Sequence, residues 1–331
     1  MTTLVKRHAS ALGLVAVVAL LLIVFSDDGV VLGRLTTIAV IGLIALSVGM
    51  GWGQVGILSL CQAQFAAVGA YVTAILSVQY DWPVLLTVVP AAVLPMLVAA
   101  VFGRFLVGLS ALTLGIATFV LARLAHIAIT NGGELTGGFL GISGVPRVDF
   151  AQSQLEFAFL SWACVLIVLV LYKNLMDSAF GRALRTIRHD PLRAEADGIR
   201  IETLQTKAFA LTAGVAGTAG WLYAQFLSYI GPDSLGIALG ISVVLMAIVG
   251  GAQSIVGPLI GAAVLISVGD YIPVESARGM VYGGALILMF LLAPGGLAAF
   301  AGFAGTELRR RRRHRADRSP APEGQEAVSW H

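Results

Sequence analysis

The residues able to do chemistry in this 331-residue chain fall into two groups. One is a basic stretch, "SAFGRALRTIRHDPLRAEADGIR" from Ser178 to Arg200, in which Arg182, Arg185 and Arg188 recur at three-residue spacing ahead of a proline. The other is a polar set, Gln54, Ser59, Gln62 and Gln64, beside the glycine-rich "GMGWGQVG" in otherwise apolar surroundings. Amides and hydroxyls in such surroundings must find partners, so this set either lines a pathway or partner interface, or bonds helix to helix. The pattern assigns none of the four as a substrate ligand. Catalytic patterns are missing: there is no HExxH pair, no GxSxG elbow and no GxxxxGK[ST] loop to cradle ATP phosphates. His8, His126, His189, His314 and His331 are scattered, and Cys61 and Cys164 sit in separate apolar segments without a CxxC. No catalytic residue, metal site or cofactor is expected, and any ATP-driven step needs another subunit.

The elements that must position these residues follow from composition. A hydrophobic fraction of 58%, a charged fraction of 12% and a mean hydropathy of +0.90 lie far from soluble domains, which carry about 25% charge. Several apolar runs approach the ~20 residues a helix needs to cross a bilayer, and the alternating pattern of an outer-membrane barrel is absent. The fold class is an all-α polytopic membrane protein with about ten transmembrane helices, expected over 9–25, 31–50, 57–79, 84–105, 107–130, 155–172, 207–229, 236–250, 255–271 and 279–299. The first run follows Lys6, Arg7 and His8 like a signal peptide, but "FSDDG" offers no small-x-small cleavage site, so an uncleaved span is expected.

Basic loops resist translocation. With the N-terminus in the cytoplasm, seventeen of the 21 Lys and Arg fall on the cytoplasmic side, including Arg104, Lys173, Lys207 and seven arginines between Arg309 and Arg318. Arg34, Arg147 and Arg278 fall outside, and Arg123 lies within a span, where it either snorkels outward or faces a polar interior. Both termini are therefore expected to be cytoplasmic. Residues 1–305 read as a membrane domain with a cytoplasmic loop over 173–206, and 306–331 as a basic, disordered tail held at the anionic leaflet. Nucleic acid is not an expected partner, because the tail's arginines directly follow a span. Three glycine-rich breaks, Gly49 to Gly56, Asn131 to Pro146 and Val249 to Pro258, are either tight turns or unwound backbone, the first and third beside a pathway. Those two breaks also hint at an internal duplication.

Within the cytoplasmic loop, Asp190 suits an N-cap, Pro191 the first helical position and Gly198 the C-terminal cap, which predicts a helix over Pro191 to Asp197. A helix so short is unstable alone and must dock on something. Positive charge alone would anchor the topology, yet an anchor needs no caps.

At these residues the chain resembles the permease subunits of ABC importers for branched-chain amino acids, of the LivH/LivM kind. The likeness rests on "GRALRTIRHDPLRAEADGIR", "GQVGILSLCQAQFAAVGAY", "LTGGFLGISGVP" and "GGAQSIVGPLIGA", and runs from about Gly42 to Pro294. The chain departs from the family's pattern at Cys61, Phe139, Leu140 and Pro191. The resemblance implies that Ser178 to Arg200 couples to a cytoplasmic ATPase, through Gly181, Arg182, Arg185, Arg188, Pro191, Glu195 and Gly198. It implies as partners a second permease subunit, two ABC ATPase subunits, an external substrate-binding protein and membrane lipid, with the assembly in a bacterial inner membrane. Branched-chain amino acids are the implied cargo, with urea, short amides or other amino acids as alternatives. An ion-coupled secondary transporter is the rival class, disfavoured because the acids map to loops and span ends.

Overall fold

The computed structural model describes residues 20–106 and 108–269, with positions 13, 18, 283 and 284 standing apart. Most of the spans expected over 9–25 and 279–299, and all of the tail, lie outside the described residues. Between them, each of the eight spans expected from residue 31 to residue 271 has its helix. They are α1 (Gly29–Gly49), α2 (Gln62–Ala74), α3 (Val88–Leu106), α4 (Ala111–Thr130), α5 (Gln154–Asp177), α8 (Ile201–Leu227), α9 (Ile237–Gly250) and α10 (Gly257–Gly269). Two further helices, α6 (Ala179–His189) and α7 (Pro191–Ala196), form the polar loop between α5 and α8. Among the described residues four helical stretches, Gly29–Val55, Val88–Leu106, Leu112–Thr130 and Gln154–Asp177, are long and apolar enough to cross a membrane. Helices α9 and α10, of 14 and 13 residues, are shorter than a full span.

Helix α8 forms the centre, packed on α1, α2 and α3, while α9 and α10 pair and lie against α1. Small residues permit this. A side chain at Gly220 would strike the backbone of Ala66, and one at Gly217 would strike Ala91, so α8 meets α2 and α3 at near-backbone contact. Trp221 extends the α8–α3 contact by donating its indole N–H to the Val84 carbonyl at 3.0 Å and lying 3.1 Å from Thr87 Oγ1. Helices α1 and α5 run in the same direction. Gln154 Nε2 meets Gly29 O at 2.7 Å near their starts, Trp162 Nε1 meets Leu35 O at 3.2 Å, and Met176 approaches Met50 near their ends. The α6–α7 loop therefore lies at the opposite end of the bundle from the glycine-rich 131–146 loop. At that far end β1 (Ile142–Ser143) pairs antiparallel with β2 (Tyr229–Ile230) in the register Ile142↔Ile230. Apolar residues on α3 and α4, such as Leu97, Phe105, Leu112 and Ile116, remain exposed, as suits helices bathed in hydrocarbon.

The interruptions differ from simple turns. The expected span over 57–79 begins only at Gln62: α1 widens into a π-helical turn over Met50–Val55, Gly56 turns left-handed at φ 81°, and residues 57–61 run without helix. The π geometry then recurs over Ile75–Gln79. Left-handed backbone strains a residue with a Cβ, which is why the stop falls on a glycine. At the far end of the bundle α8 ends at Leu227 with Ser228 as its cap, and residues 231–236 lead without helix to α9. These two unwound stretches approach each other where the Leu235 carbonyl meets the Gln64 side chain.

Candidate functional site

Helix α6 is amphipathic. Leu184 and Ile187 are buried, Phe180 packs beside them, and Arg182 is exposed on the opposite face. The buried side fits a nearly filled apolar seat made by Met50 and Val55 of the π-turn, Leu175 and Met176 of α5, and Ala208, Leu211 and Thr212 of α8. Gly181 makes that seat reachable, since a side chain there would collide with the Met176 backbone where α6 folds back on α5. Arg182 secures the same corner by donating from Nη1 to the Asp177 carbonyl at 3.0 Å.

Helix α7 ends one residue before the expected limit, at Ala196, with Asp197 as its C-cap. Asp190 Oδ1 accepts from the Arg193 amide at 3.0 Å and Pro191 occupies the first turn. At the other end Gly198, at φ 76°, closes a Schellman turn in which the Ile199 amide reaches Ala194 O and the Gly198 amide reaches Glu195 O, both at 2.9 Å. One buried side chain, Ala194, holds α7 to the core. An open cleft of about 490 Å³ separates α6 from α7, lined by Arg182, Arg185, Thr186, His189, Asp190, Arg193 and Asp197. Arg185 and Arg188 are half-buried on its α6 side, while Pro191 and Glu195 are exposed on α7. Sequence reasoning missed Leu192, an apolar side chain 79% exposed beside this cleft. Its position just after the first-turn proline is the signal that would have found it.

The polar set lies deeper. Gln62, 1% exposed, donates to Thr212 Oγ1 of α8 at 3.0 Å and accepts from Ser47 Oγ of α1 at 3.3 Å. Gln64 donates to Leu235 O at 3.0 Å. Ser59 Oγ lies 3.1 Å from Cys61 Sγ and accepts from the Cys61 amide, so the thiol is held within the unwound segment. Gln54, half-buried, donates to Gln253 O at 3.1 Å and ties the first glycine-rich break to the third. Those two breaks touch directly, because Gly53 faces the Ala252 carbonyl so closely that a Cβ would overlap it. In this conformation the set ties α1, α2, α8 and the unwound segments to one another. Arg123, left open by the sequence, sits exposed on α4 with its guanidinium 5.8 Å from the Phe119 ring centroid. No cluster of three or more His, Cys, Asp or Glu able to hold a metal occurs among the described residues.

The model of the family described as "Branched-chain amino acid transport system / permease component" matches residues 30–293. The high-affinity branched-chain amino acid transport system permease protein LivM of Escherichia coli is 28% identical over 321 residues, which cover 85% of this chain and 73% of that protein. LivM of Salmonella typhimurium is 28% identical over 301 residues, covering 78% of this chain and 69% of that protein. A probable LivH permease of Methanocaldococcus jannaschii is 28% identical over 273 residues, covering 76% and 84%. No solved structure matches the chain. A polytopic helical chain with the family's motifs along its length, matched by the family model over most of its residues, belongs to the family of permease components of branched-chain amino acid transport systems.

Proposed function

We propose that this chain is the LivM-type half of an ATP-driven importer that passes branched-chain amino acids through a bacterial inner membrane, with both termini in the cytoplasm. Residues 1–305 form the permease domain and 306–331 a basic tail on the lipid headgroups. A LivH-like subunit completes the pathway, an external binding protein delivers the cargo, and two cytoplasmic ABC ATPases supply the work. The chain has no catalytic step of its own.

The observation that carries this reading is the α6–α7 unit. It is seated by buried apolar residues on the membrane core and capped at both ends of α7, yet it leaves its basic cleft and Leu192 exposed. Such a unit transmits displacement. Gly181 and Arg182 hold the corner, Arg185 and Arg188 line or border the cleft that faces the ATPase, and Pro191, Glu195 and Gly198 shape and cap the helix that docks on it. Closure of the ATPase pair pushes α6 against the π-turn over Met50–Val55, and through it against the set of Gln54, Ser59, Gln62 and Gln64, which flanks the pathway. Each ligand drives the cycle through its different affinity for the inward and outward states.

The test is reconstitution of all subunits in proteoliposomes with Arg185→Glu and Arg188→Glu together. Membrane insertion is expected to persist while ATP hydrolysis no longer drives leucine uptake. Wild-type uptake by the double variant, or uptake by the wild type that needs neither ATPase nor binding protein, refutes the reading.

A further inference from the structure

Among the described residues four buried side-chain polar atoms have no hydrogen-bond partner, and three of them meet one segment of chain: Gln64 Oε1, Tyr71 Oη and His126 Nδ1. Gln64 and Tyr71 are 2% and 4% exposed and stand seven residues apart on α2, which puts them on one face. Gln64 binds the Leu235 carbonyl, Tyr71 lies within electrostatic reach of Tyr229 and Asp233, and His126 Nε2 of α4 lies 3.8 Å from Asp233 Oδ1. All three orphans thus border the Tyr229-to-Leu235 stretch that descends from the far end of the bundle toward the start of α2. Asp233, with its side chain 96% exposed, stands at the rim. A buried polar atom without a partner is costly, and three around one irregular segment call for a common explanation.

We propose that Gln64, Tyr71 and His126, with Asp233 at the mouth, form an entry site for the ammonium group of the transported molecule. The unused valences decide the ligand class. Gln64 gives one N–H to the Leu235 carbonyl and leaves its Oε1 as a buried acceptor without a partner. His126 places Nε2 3.8 Å from Asp233 Oδ1 and leaves Nδ1 buried without a partner, so the ring with its proton on Nε2 offers the Nδ1 lone pair as an acceptor. The Tyr71 hydroxyl can accept as well as donate, and Asp233 adds a carboxylate at the rim. No cation opposes them from α4, because the Arg123 guanidinium lies over Phe119, one turn back along the helix. Acceptors with one carboxylate at the rim fit a protonated amine and disfavour an anion. Gln64 and Tyr71, about 10 Å apart along α2, mark the inner and outer ends of the track. In this conformation the track is closed and its acceptors await a donor.

The site rests on the importer reading, so its test separates the two. In a Cys61→Ala, Cys164→Ala background, Tyr71→Cys in the full assembly is treated from the face opposite α6 and α7 with trimethylammonium and sulfonate thiosulfonate reagents of matched size. The cationic reagent is expected to react faster on the order of tenfold in an open state, at low salt. Equal rates, a faster sulfonate or no labelling in any nucleotide state overturns the site, whatever the cargo. In parallel, Tyr71→Phe removes only an orphan hydroxyl. A purely structural role predicts unchanged or better thermal stability and unchanged uptake, whereas the entry site predicts leucine uptake at low concentration reduced about tenfold or more. Wild-type uptake by Tyr71→Phe overturns the site. A wild-type assembly that imports no leucine refutes the cargo instead, and the reagent ratio still decides the site.

Discussion

Asp190→Ala isolates what the caps of α7 contribute. The helix has six residues and a single buried side chain, so its persistence depends on its ends. The substitution removes the 3.0 Å bond from the Arg193 amide to Asp190 Oδ1 and leaves the Schellman turn at Gly198 intact. Loss of such a cap costs about 1 kcal/mol, which raises the open population of α7 about fivefold. Helices α6 and α8 do not depend on that bond, so the cost stays local. Hydrogen exchange at the Ala194, Asp197, Gly198 and Ile199 amides, all bonded within this turn, should accelerate about fivefold while the global melting temperature stays put. Asp190→Asn keeps the cap oxygen and should restore protection. Unchanged exchange in Asp190→Ala, or acceleration that spreads through α8, would refute the argument that end-capping holds α7.

Two further outcomes concern the core. Gly220→Val places methyl groups where the Ala66 carbonyl lies and should prevent α2 from seating on α8, seen as loss of the folded fraction in detergent by size-exclusion chromatography, whereas Thr218→Val on the same helix should be tolerated. Gln62→Leu severs the links to Ser47 and Thr212 and should destabilise the α1–α2–α8 contact by about 1 kcal/mol, measured by stepwise denaturation in micelles; a stability at or above wild type would show that the bonds contribute nothing.

Much of this architecture was legible in the chain because its signals are local. Apolar runs revealed the helices, and Asp190, Pro191 and Gly198 placed α7 to within one residue. The segment over 57–61 was not legible. Ile57, Leu58, Leu60 and Cys61 are as apolar as a span, so composition starts a span at residue 57, whereas its helix begins only at Gln62. The end of α5 was misplaced for the converse reason: Lys173 and Asn174 read as loop, yet the helix carries them on to Asp177. The polar set was recognised as a set, but its bonding was hidden because Gln62 and Gln64 find partners 150 and 171 residues away. The acceptors on α2 and α4 passed unnoticed for the same reason, since nothing near Tyr71 or His126 in the sequence points to Asp233. The buried face of α6, by contrast, is written in the spacing of Phe180, Leu184 and Ile187, but Arg182 and Arg185 between them make the stretch polar by composition.

The contact between the two glycine-rich breaks bears on how the chain is made. Gln54 donates to a carbonyl 199 residues later, and Gly53 rests on Ala252. At about 5–20 residues per second, the ribosome delivers that partner roughly 10–40 seconds after Gln54 has entered the membrane. During that interval the π-turn and the unwound stretch behind it lack one wall, with backbone groups that lipid cannot satisfy. The early helices must therefore wait beside the insertion machinery or a lipid-phase chaperone, and a nascent chain halted before Ala252 should remain open to proteolysis at Gly56 even though seven of the eight spans with described helices precede that point.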